Sequence, residues 1–300
     1  MELPAAAGLK RLLFIYNPRS GRGLFQQHLG EIIEQFTEGG YLVMSYPTRS
    51  GYDFLPLLPM YGSVDAVCYA GGDGIMNAAL NFHVKHEISL PITYMPAGTT
   101  NDFAHSVGIG TNIQESVRSV LSGGIHELDY GVLNGQAFTY VAAFGSLAEI
   151  SYTTPQDVKN TLGYAAYLIE GMKRFPELKA RHLKVTHDGG NFEGDFILGL
   201  VTNSNTVGGF RPMVLGDVSL TDGLLEVTLV RMPKNVTDMG AIMNALVTGE
   251  TDEQNVISLK TGKLQILSDV ELSWTIDGEF GGKYEDTEIS CVRQGMKIRV

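Results

Sequence analysis

Within the first 130 residues, short apolar runs alternate with stretches of helical spacing, and glycine or proline stands at the junctions. Arg11–Tyr16 reads as a strand and ends in Asn17-Pro18. Leu24–Thr37 carries Leu24, Phe25, Leu29, Ile32, Ile33 and Phe36 at the spacing of one helical face, and Gly39-Gly40 stops it. Tyr41–Tyr46, Ala66–Ala70 and Ile92–Met95 are further strands, the last two followed by a glycine-bearing loop and a helical pattern. Strands joined through helices by short connections can only pair in parallel, with helices covering both faces of the sheet. Ligands of such sheets sit at the carboxyl ends of the strands, where these loops lie.

After Asp129 the pattern changes. Phe138–Ala143, Leu183–Thr186, Phe192–Asn203, Leu224–Val230, Lys263–Leu267, Val270–Ile276 and Glu288–Arg293 are strand-like. Asn134-Gly135, Asp188-Gly189, Asp222-Gly223 and Asp277-Gly278 punctuate them as turns. One helix interrupts: Thr154 caps it, Pro155 opens it, and Leu162, Ala165, Ala166, Leu168, Ile169 and Met172 form its apolar face. The expectation is an α/β plus β chain. Residues 1–130 form an α/β domain with a parallel sheet, and residues 131–290 a mainly antiparallel β domain. A cleft between the halves is the natural place for a site.

The glycine-bearing loops carry the chemistry. Neither G-x-x-x-x-G-K-[ST] nor G-x-G-x-x-G occurs, since Gly262-Lys263 and Gly282-Lys283 lead into Leu and Tyr, and Gly21-x-Gly23 into Gln26. In their place Gly71-Gly72-Asp73-Gly74-Ile75-Met76-Asn77 leaves a buried strand and enters a helix. Glycines let a backbone approach a ligand with no Cβ in the way, and the first amides of a helix bind phosphate oxygens. Asp73 would repel bare phosphate, which points to a bridging magnesium ion or water. Taken alone, the loop reads as well as a plain strand–turn–helix connection with an Asp cap. Pro96-Ala97-Gly98-Thr99-Thr100-Asn101-Asp102 repeats the plan after the next strand, and Asn17-Pro18-Arg19-Ser20-Gly21-Arg22-Gly23 offers two guanidiniums after the first. Three such loops after neighbouring parallel strands arise by chance far less often than one.

Together, Asn17-Pro-x-Ser-Gly21, Gly71-Gly-Asp-Gly74 with Asn77, and Pro96-x-Gly-Thr-x-Asn-Asp102 resemble the diacylglycerol kinase catalytic family, its bacterial soluble members most closely. The likeness continues in order through Thr154-Pro-Gln, Lys159-Asn, Asn203, Gly208-Gly-Phe210, Thr221-Asp-Gly-Leu224 and Ile276-Asp-Gly-Glu279. It implies that residues 1–130 are a nucleotide-binding domain, followed by a C-terminal β-sandwich that takes the lipid, with residues 291–300 returning to the first domain. It also implies a lipid kinase that transfers the γ-phosphate of ATP to a lipid hydroxyl, diacylglycerol to phosphatidic acid first among the choices.

By position, the resemblance implies ATP contacts from Asn17, Pro18, Arg19, Ser20, Gly21, Thr48, Gly71, Gly72, Asp73, Gly74, Asn77 and Thr99. Asp73, Asp102 and Asp129 would organise a catalytic Mg²⁺ through water. Asp222, with the carbonyls of Ser219 and Leu224, would hold a second, structural metal. Glu279 would be the general base, although an exposed Glu after an Asp-Gly turn is by itself usually only solvated. The family has Thr where this chain has Ile75, so a β-branched shape is kept and a hydroxyl lost, which bears on nucleotide affinity or rate and not on the fold. The alternatives are another lipid acceptor such as phosphatidylglycerol or a sphingoid base, a soluble acceptor, or a lipid-binding regulator with impaired catalysis.

Composition narrows the partners. A net charge of −11 argues against nucleic acid. No apolar run reaches eighteen residues, and Met1–Lys10 lacks the features of a signal peptide. Contact with the inner membrane face is therefore expected to be peripheral, from the cytoplasm, and a homodimer is compatible with the sequence. Lys173, Arg174, Lys179, Arg181 and Lys184 form the densest basic stretch, readable as a membrane-facing patch or as a solvated helix end and edge strand. Cys68 and Cys291 form no disulfide framework or zinc spacing, and Cys68 reads as a core thiol. Trp274 reads as core, Ser20 has no triad partners, and His83 and His86, near a helix end, read as solvated.

Overall fold

The computed structural model describes residues 8–49, 52–145, 179–207, 218–248 and 252–300. The expected helix after Thr154, Gly208–Phe210, and Lys173 and Arg174 of the basic stretch lie outside them. The chain divides into two compact units, one of Met1–Leu128 with Gln294–Val300 and one of Asp129–Arg293.

In the first unit, strands β1 (Lys10–Tyr16), β2 (Tyr41–Pro47), β3 (Ala66–Gly71) and β4 (Ile92–Pro96) lie in the order β4-β3-β1-β2. β1 runs parallel to β2 and to β3, and β3 parallel to β4. Ile298 and Arg299, near the chain's end, pair in parallel with Ile92 and Thr93. The registers bring Tyr16 opposite both Pro47 and Ala70, and Gly71 opposite Pro96. All four strands therefore end at one edge, and the loops that follow emerge side by side. Every residue of β3 and β4 is buried, the signature of a sheet covered on both faces.

Among the described residues six α-helices accompany this sheet: α1 (Leu24–Gln27), α2 (Leu29–Glu38), α3 (Leu58–Tyr61), α4 (Asp73–Lys85), α5 (Asp102–Val107) and α6 (Ile113–Ser122). The single helix expected over Leu24–Thr37 is broken at His28, whose backbone leaves the helical region at φ −106° and ψ 15° and whose Nδ1 meets Glu31 at 3.1 Å. Phe25 before the break and Ile32 and Phe36 after it still reach one core with Leu12, Phe14 and Val117. α4 buries Ile75, Met76, Ala79, Leu80 and His83, one stripe of a helix. α6 starts on the Asn112 side chain, which accepts the Glu115 N–H at 2.8 Å.

His83 is not solvated, contrary to its sequence reading. It is 6% exposed, and its Nε2 lies 2.9 Å from the Tyr69 hydroxyl, itself 2.6 Å from that of Tyr61. The last turn of α4 packs inward, so proximity to a helix end did not mean exposure. Burial holds the imidazole down at about 4, against carbonyls at Leu90 and Ile88 that favour the charged form.

The second unit is mainly antiparallel. It contains β6 (Gln136–Phe138), β7 (Val141–Gly145), β8 (Arg181–His187), β9 (Gly190–Thr202), β10 (Leu225–Arg231), α7 (Val236–Thr248), β11 (Val256–Thr261) and β12 (Lys263–Ile276). β5 (Ile125–Leu133) leads into it and β13 (Glu279–Arg299) out of it. β9 pairs antiparallel with β7, β8 and β10, and β12 with β7, β8 and β13. Trp274 is fully buried, edge-on to Phe144 at 4.9 Å, and its indole N–H donates to the Thr287 hydroxyl at 3.0 Å.

Three strand expectations change. Lys263–Leu267 and Val270–Ile276 are one strand whose pairing with β13 shifts between Leu267 and Leu272, a bulge that absorbs the polar interruption. Glu288–Arg293 is the middle of a 21-residue strand. Phe138–Ala143 is two strands, broken at Thr139-Tyr140 because those amides bond to the Asp277 carboxylate instead of to a ladder.

Candidate active site

The three glycine-bearing loops of the first unit meet at the strand ends. Asn17 organises its own loop: its amide N–H donates to Ala70 O at 2.8 Å, its Oδ1 accepts the Arg19 N–H at 2.9 Å, and its carbonyl accepts the Ser20 N–H at 3.2 Å. Pro18 is half-buried and Arg19 exposed, while Gly21 at φ +57° leaves only 3.0 Å between a notional Cβ and the Ala97 carbonyl. A Cβ on Gly71 would stand 2.9 Å from Ile75 Cγ2, 3.3 Å from Ser20 Oγ and 3.4 Å from Asn17 Cβ. One on Gly98 would stand 2.9 Å from Gly72 Cα and 2.8 Å from Asn101 Oδ1. At Gly98 the two backbones thus approach so closely that a Cβ would require one of them to move.

Asp73 opens α4, where the helix dipole favours a carboxylate, and the Thr100 hydroxyl points to its Oδ2 at 3.4 Å. Gly74 is in the same first turn, and Asn77 follows Asp73 on the same face one turn on, its Oδ1 accepting from Asn81 at 3.2 Å. Ile75 is fully buried with its Cγ2 methyl, which Thr would share, against Gly71, so the departure from Thr exchanges a hydroxyl for an apolar Cγ1 inside the core. Thr48 is buried at the end of β2, its N–H on Tyr16 O at 2.8 Å, and Thr99 is exposed at its loop tip. Asn101 sits at φ 51° and closes the loop on itself, accepting the Gly98 N–H at 2.6 Å and donating to Gly98 O at 3.0 Å. That turn delivers Asp102, fully buried, at the start of α5.

In the second unit, Asp129 is fully buried and its Oδ2 accepts the Gly223 N–H at 2.6 Å, while its own N–H donates to Leu220 O at 2.8 Å. This ties it to the turn holding Ser219, Asp222 and Leu224. Asp222 is exposed, and its Oδ1 accepts the Leu224 N–H at 3.0 Å. Glu226 follows on β10, buried, with Oε1 3.2 Å from Lys260 Nζ, and burial pushes its carboxyl up to about 7. Burial, then the charges of Asp129, Asp222 and Glu226, push the Cys291 thiol up to about 12. The donors gathered at this turn, Asp129, Asp222 and Glu226, are oxygens, as Mg²⁺ requires. Among the described residues no group of three His, Cys, Asp or Glu side chains is placed to hold a metal, so main-chain carbonyls, water or phosphate must complete any such shell.

Glu279 is exposed at the first position of β13, after a tight turn with Asp277 at φ 47° and Gly278 at φ 84°. Asp277 is more than a turn residue. At 3% exposure its carboxylate accepts four hydrogen bonds, from the N–H and hydroxyl of Thr139 and the N–H groups of Tyr140 and Val141. Two aromatic residues at the loops also escaped the sequence reading. Tyr52, at φ 46°, receives the Asn17 side-chain amide on its hydroxyl at 3.2 Å, and the buried Tyr94 donates to Gly71 O at 3.0 Å. No spacing rule marks either tyrosine. The positive φ of Tyr52 is visible only in coordinates.

Comparison with known proteins follows the same division. Residues 11–133 match the model of the diacylglycerol kinase catalytic domain, and residues 142–298 that of the YegS C-terminal NAD kinase beta sandwich-like domain. Diacylglycerol kinase of Bacillus subtilis (strain 168) is 32% identical over 278 residues, 91% of this chain and 91% of that protein. Diacylglycerol kinase of Staphylococcus aureus (strain JH9) is 32% identical over 277 residues, 91% of this chain and 87% of that protein. The crystal structure of a diacylglycerol kinase from Bacillus anthracis str. Sterne superposes with a TM-score of 0.76 at 20% identity, over 97% of this chain and 96% of that one, a likeness of fold. Matched along both of its parts in order, and by relatives of that identity over nearly its whole length, the chain belongs to the diacylglycerol kinase catalytic family and is a kinase.

Proposed function

We propose that this kinase transfers the γ-phosphate of ATP to the hydroxyl of a lipid alcohol, diacylglycerol first, giving phosphatidic acid. The observation that carries the reading is the junction of the Asn17–Gly21, Gly71–Gly74 and Pro96–Asp102 loops, packed so closely that a Cβ on Gly98 would stand 2.9 Å from Gly72 Cα. The amide of Gly72 and the hydroxyls of Ser20, Thr48 and Thr99 then serve the phosphates, and Arg19 neutralises charge at the rim. Phosphoryl transfer needs positioning and charge neutralisation more than covalent help from the protein.

Magnesium, when bound, supplies most of that neutralisation. By the family resemblance Asp73, Asp102 and Asp129 would hold it through water, and Asp222 with the Ser219 and Leu224 carbonyls would hold a second ion. Glu279 takes the proton of the lipid hydroxyl as its oxygen attacks the γ-phosphorus and ADP leaves. Phe280, next to Glu279, is 68% exposed, which favours an acceptor with acyl chains over a sugar. Among the described residues no helix is long and apolar enough to cross a membrane, and we place the encounter with lipid at the cytoplasmic surface of a bilayer, by peripheral contact.

The test is transfer of labelled phosphate from ATP to a panel of dispersed lipids and soluble alcohols, with nucleotide binding measured in parallel. Transfer to diacylglycerol is expected. Bound nucleotide with no transfer to any lipid overturns the reading.

A further inference from the structure

A Gly-Gly peptide has little intrinsic preference for one orientation, because neither flanking residue has a Cβ to bar a flip. The Gly71-Gly72 peptide is nonetheless held from one side by two donors. The Ala97 N–H meets Gly71 O at 2.7 Å, and the Tyr94 hydroxyl meets the same oxygen at 3.0 Å. A carbonyl oxygen has two lone pairs, so this one is saturated. Both donors come from β4 and its end, on one flank of β3, while β1 occupies the other flank. In a planar trans peptide the following N–H points opposite to the carbonyl. The Gly72 N–H therefore faces the β1 flank, where Asn17 and Ser20 lie close enough to touch a Cβ on Gly71.

We infer that Tyr94 is a positioning residue for the nucleotide: by holding the Gly71 carbonyl toward β4, its hydroxyl aims the Gly72 amide at the place where phosphate binds. The side chain suits the task. It is 1% exposed and packs 6.3 Å from Phe103, centroid to centroid, so its hydroxyl has no freedom to wander. Burial, with the charge of Asp73 next, pushes its ionisation well above the ordinary range, so it stays a donor at every working pH. Ala97 by itself holds one lone pair and leaves the peptide free to tilt. The aromatic hydroxyl supplies the second fixed point.

The inference rests on the nucleotide reading above, and its test separates the two. Tyr94→Phe keeps the ring and its packing and deletes only the hydroxyl. Tyr61→Phe is the control, since it deletes another buried hydroxyl bond, to the Tyr69 hydroxyl, that does not involve the Gly71 carbonyl. ATP dissociation constants, steady-state constants and melting temperatures are measured for the full chain and both variants. The expected result is ATP binding weakened roughly five- to thirtyfold in Tyr94→Phe, the loss of one oriented hydrogen bond, with the KM for lipid unchanged. Tyr61→Phe should bind ATP as the native chain does. Equal weakening in both variants, or none in Tyr94→Phe, overturns the inference. Native protein that takes up no nucleotide overturns the nucleotide reading and this inference with it.

Discussion

The carboxylate of Asp277 accepts the backbone N–H of Thr139 at 2.7 Å and its hydroxyl at 2.9 Å on the same oxygen, although the two residues stand 138 positions apart. Its other oxygen takes the N–H groups of Tyr140 and Val141 at 3.0 and 3.1 Å. One side chain thus replaces a stretch of ladder between β6 and β7 and fixes the turn from which Glu279 emerges.

Asp277→Asn keeps the size of the side chain but turns one acceptor into a donor facing donors. Bonds to a charged acceptor contribute about 1.5–3 kcal/mol each, not additively. We predict a loss of roughly 2–4 kcal/mol in a denaturant titration, with a fall in kcat as Glu279 loses its anchor. Unchanged stability would show the four bonds to be incidental.

Glu279→Gln addresses the chemistry alone. The side chain is exposed, so stability should move by no more than about 0.5 kcal/mol. Removal of a general base should lower kcat by ~10²–10⁴ with nucleotide affinity intact. Near-native turnover would take Glu279 out of the mechanism.

Gly98→Ala brings a methyl group to 2.9 Å from Gly72 Cα and 2.8 Å from Asn101 Oδ1. Backbone cannot give way there as a flexible side-chain end could, so the two loops must part. We expect a cost of about 1–3 kcal/mol and at least a tenfold rise in the ATP dissociation constant, read by isothermal titration. An alanine variant that binds ATP normally would mean that the close approach of these loops serves packing only.

His83 makes stability depend on pH in a defined window. Its pKa falls from 6.5 in the unfolded chain to about 4 in the folded one, chiefly through burial. The folded state prefers the neutral ring, so this contribution is complete above pH 6.5. It declines as acid protonates the unfolded chain first, and is gone near pH 4. Two to three pKa units correspond to about 3 kcal/mol. Melting curves of native protein and His83→Gln between pH 7 and 4 should therefore converge toward acid pH. Parallel curves would be the contrary result.

Much of the first unit was legible because its signals are local. An apolar run of five or six residues closed by glycine is a strand and turn whatever lies around it, and the edges of β1, β2, β3 and β4 differ from expectation by one residue. Long-range effects were not legible. The break at His28, the bulge after Leu267 and the split at Thr139-Tyr140 each answer a partner distant in space or a local bond with no motif. His83 shows the same limit, since its position near a helix end is local while Tyr69 and Tyr61 come from other elements.

The sequence by itself determined the alternation of strand and helix, the change of character after Asp129, and the three loops whose residues name a kinase. It did so because glycine, proline and apolar spacing act over a few residues. Only the tertiary structure decided that these loops touch, that Tyr94 and Ala97 share one carbonyl, and that Asp277 is an anchor. Those facts depend on strand register, which places Gly71 beside Pro96. Register is set by the burial of whole faces at once, and no single window of sequence contains it.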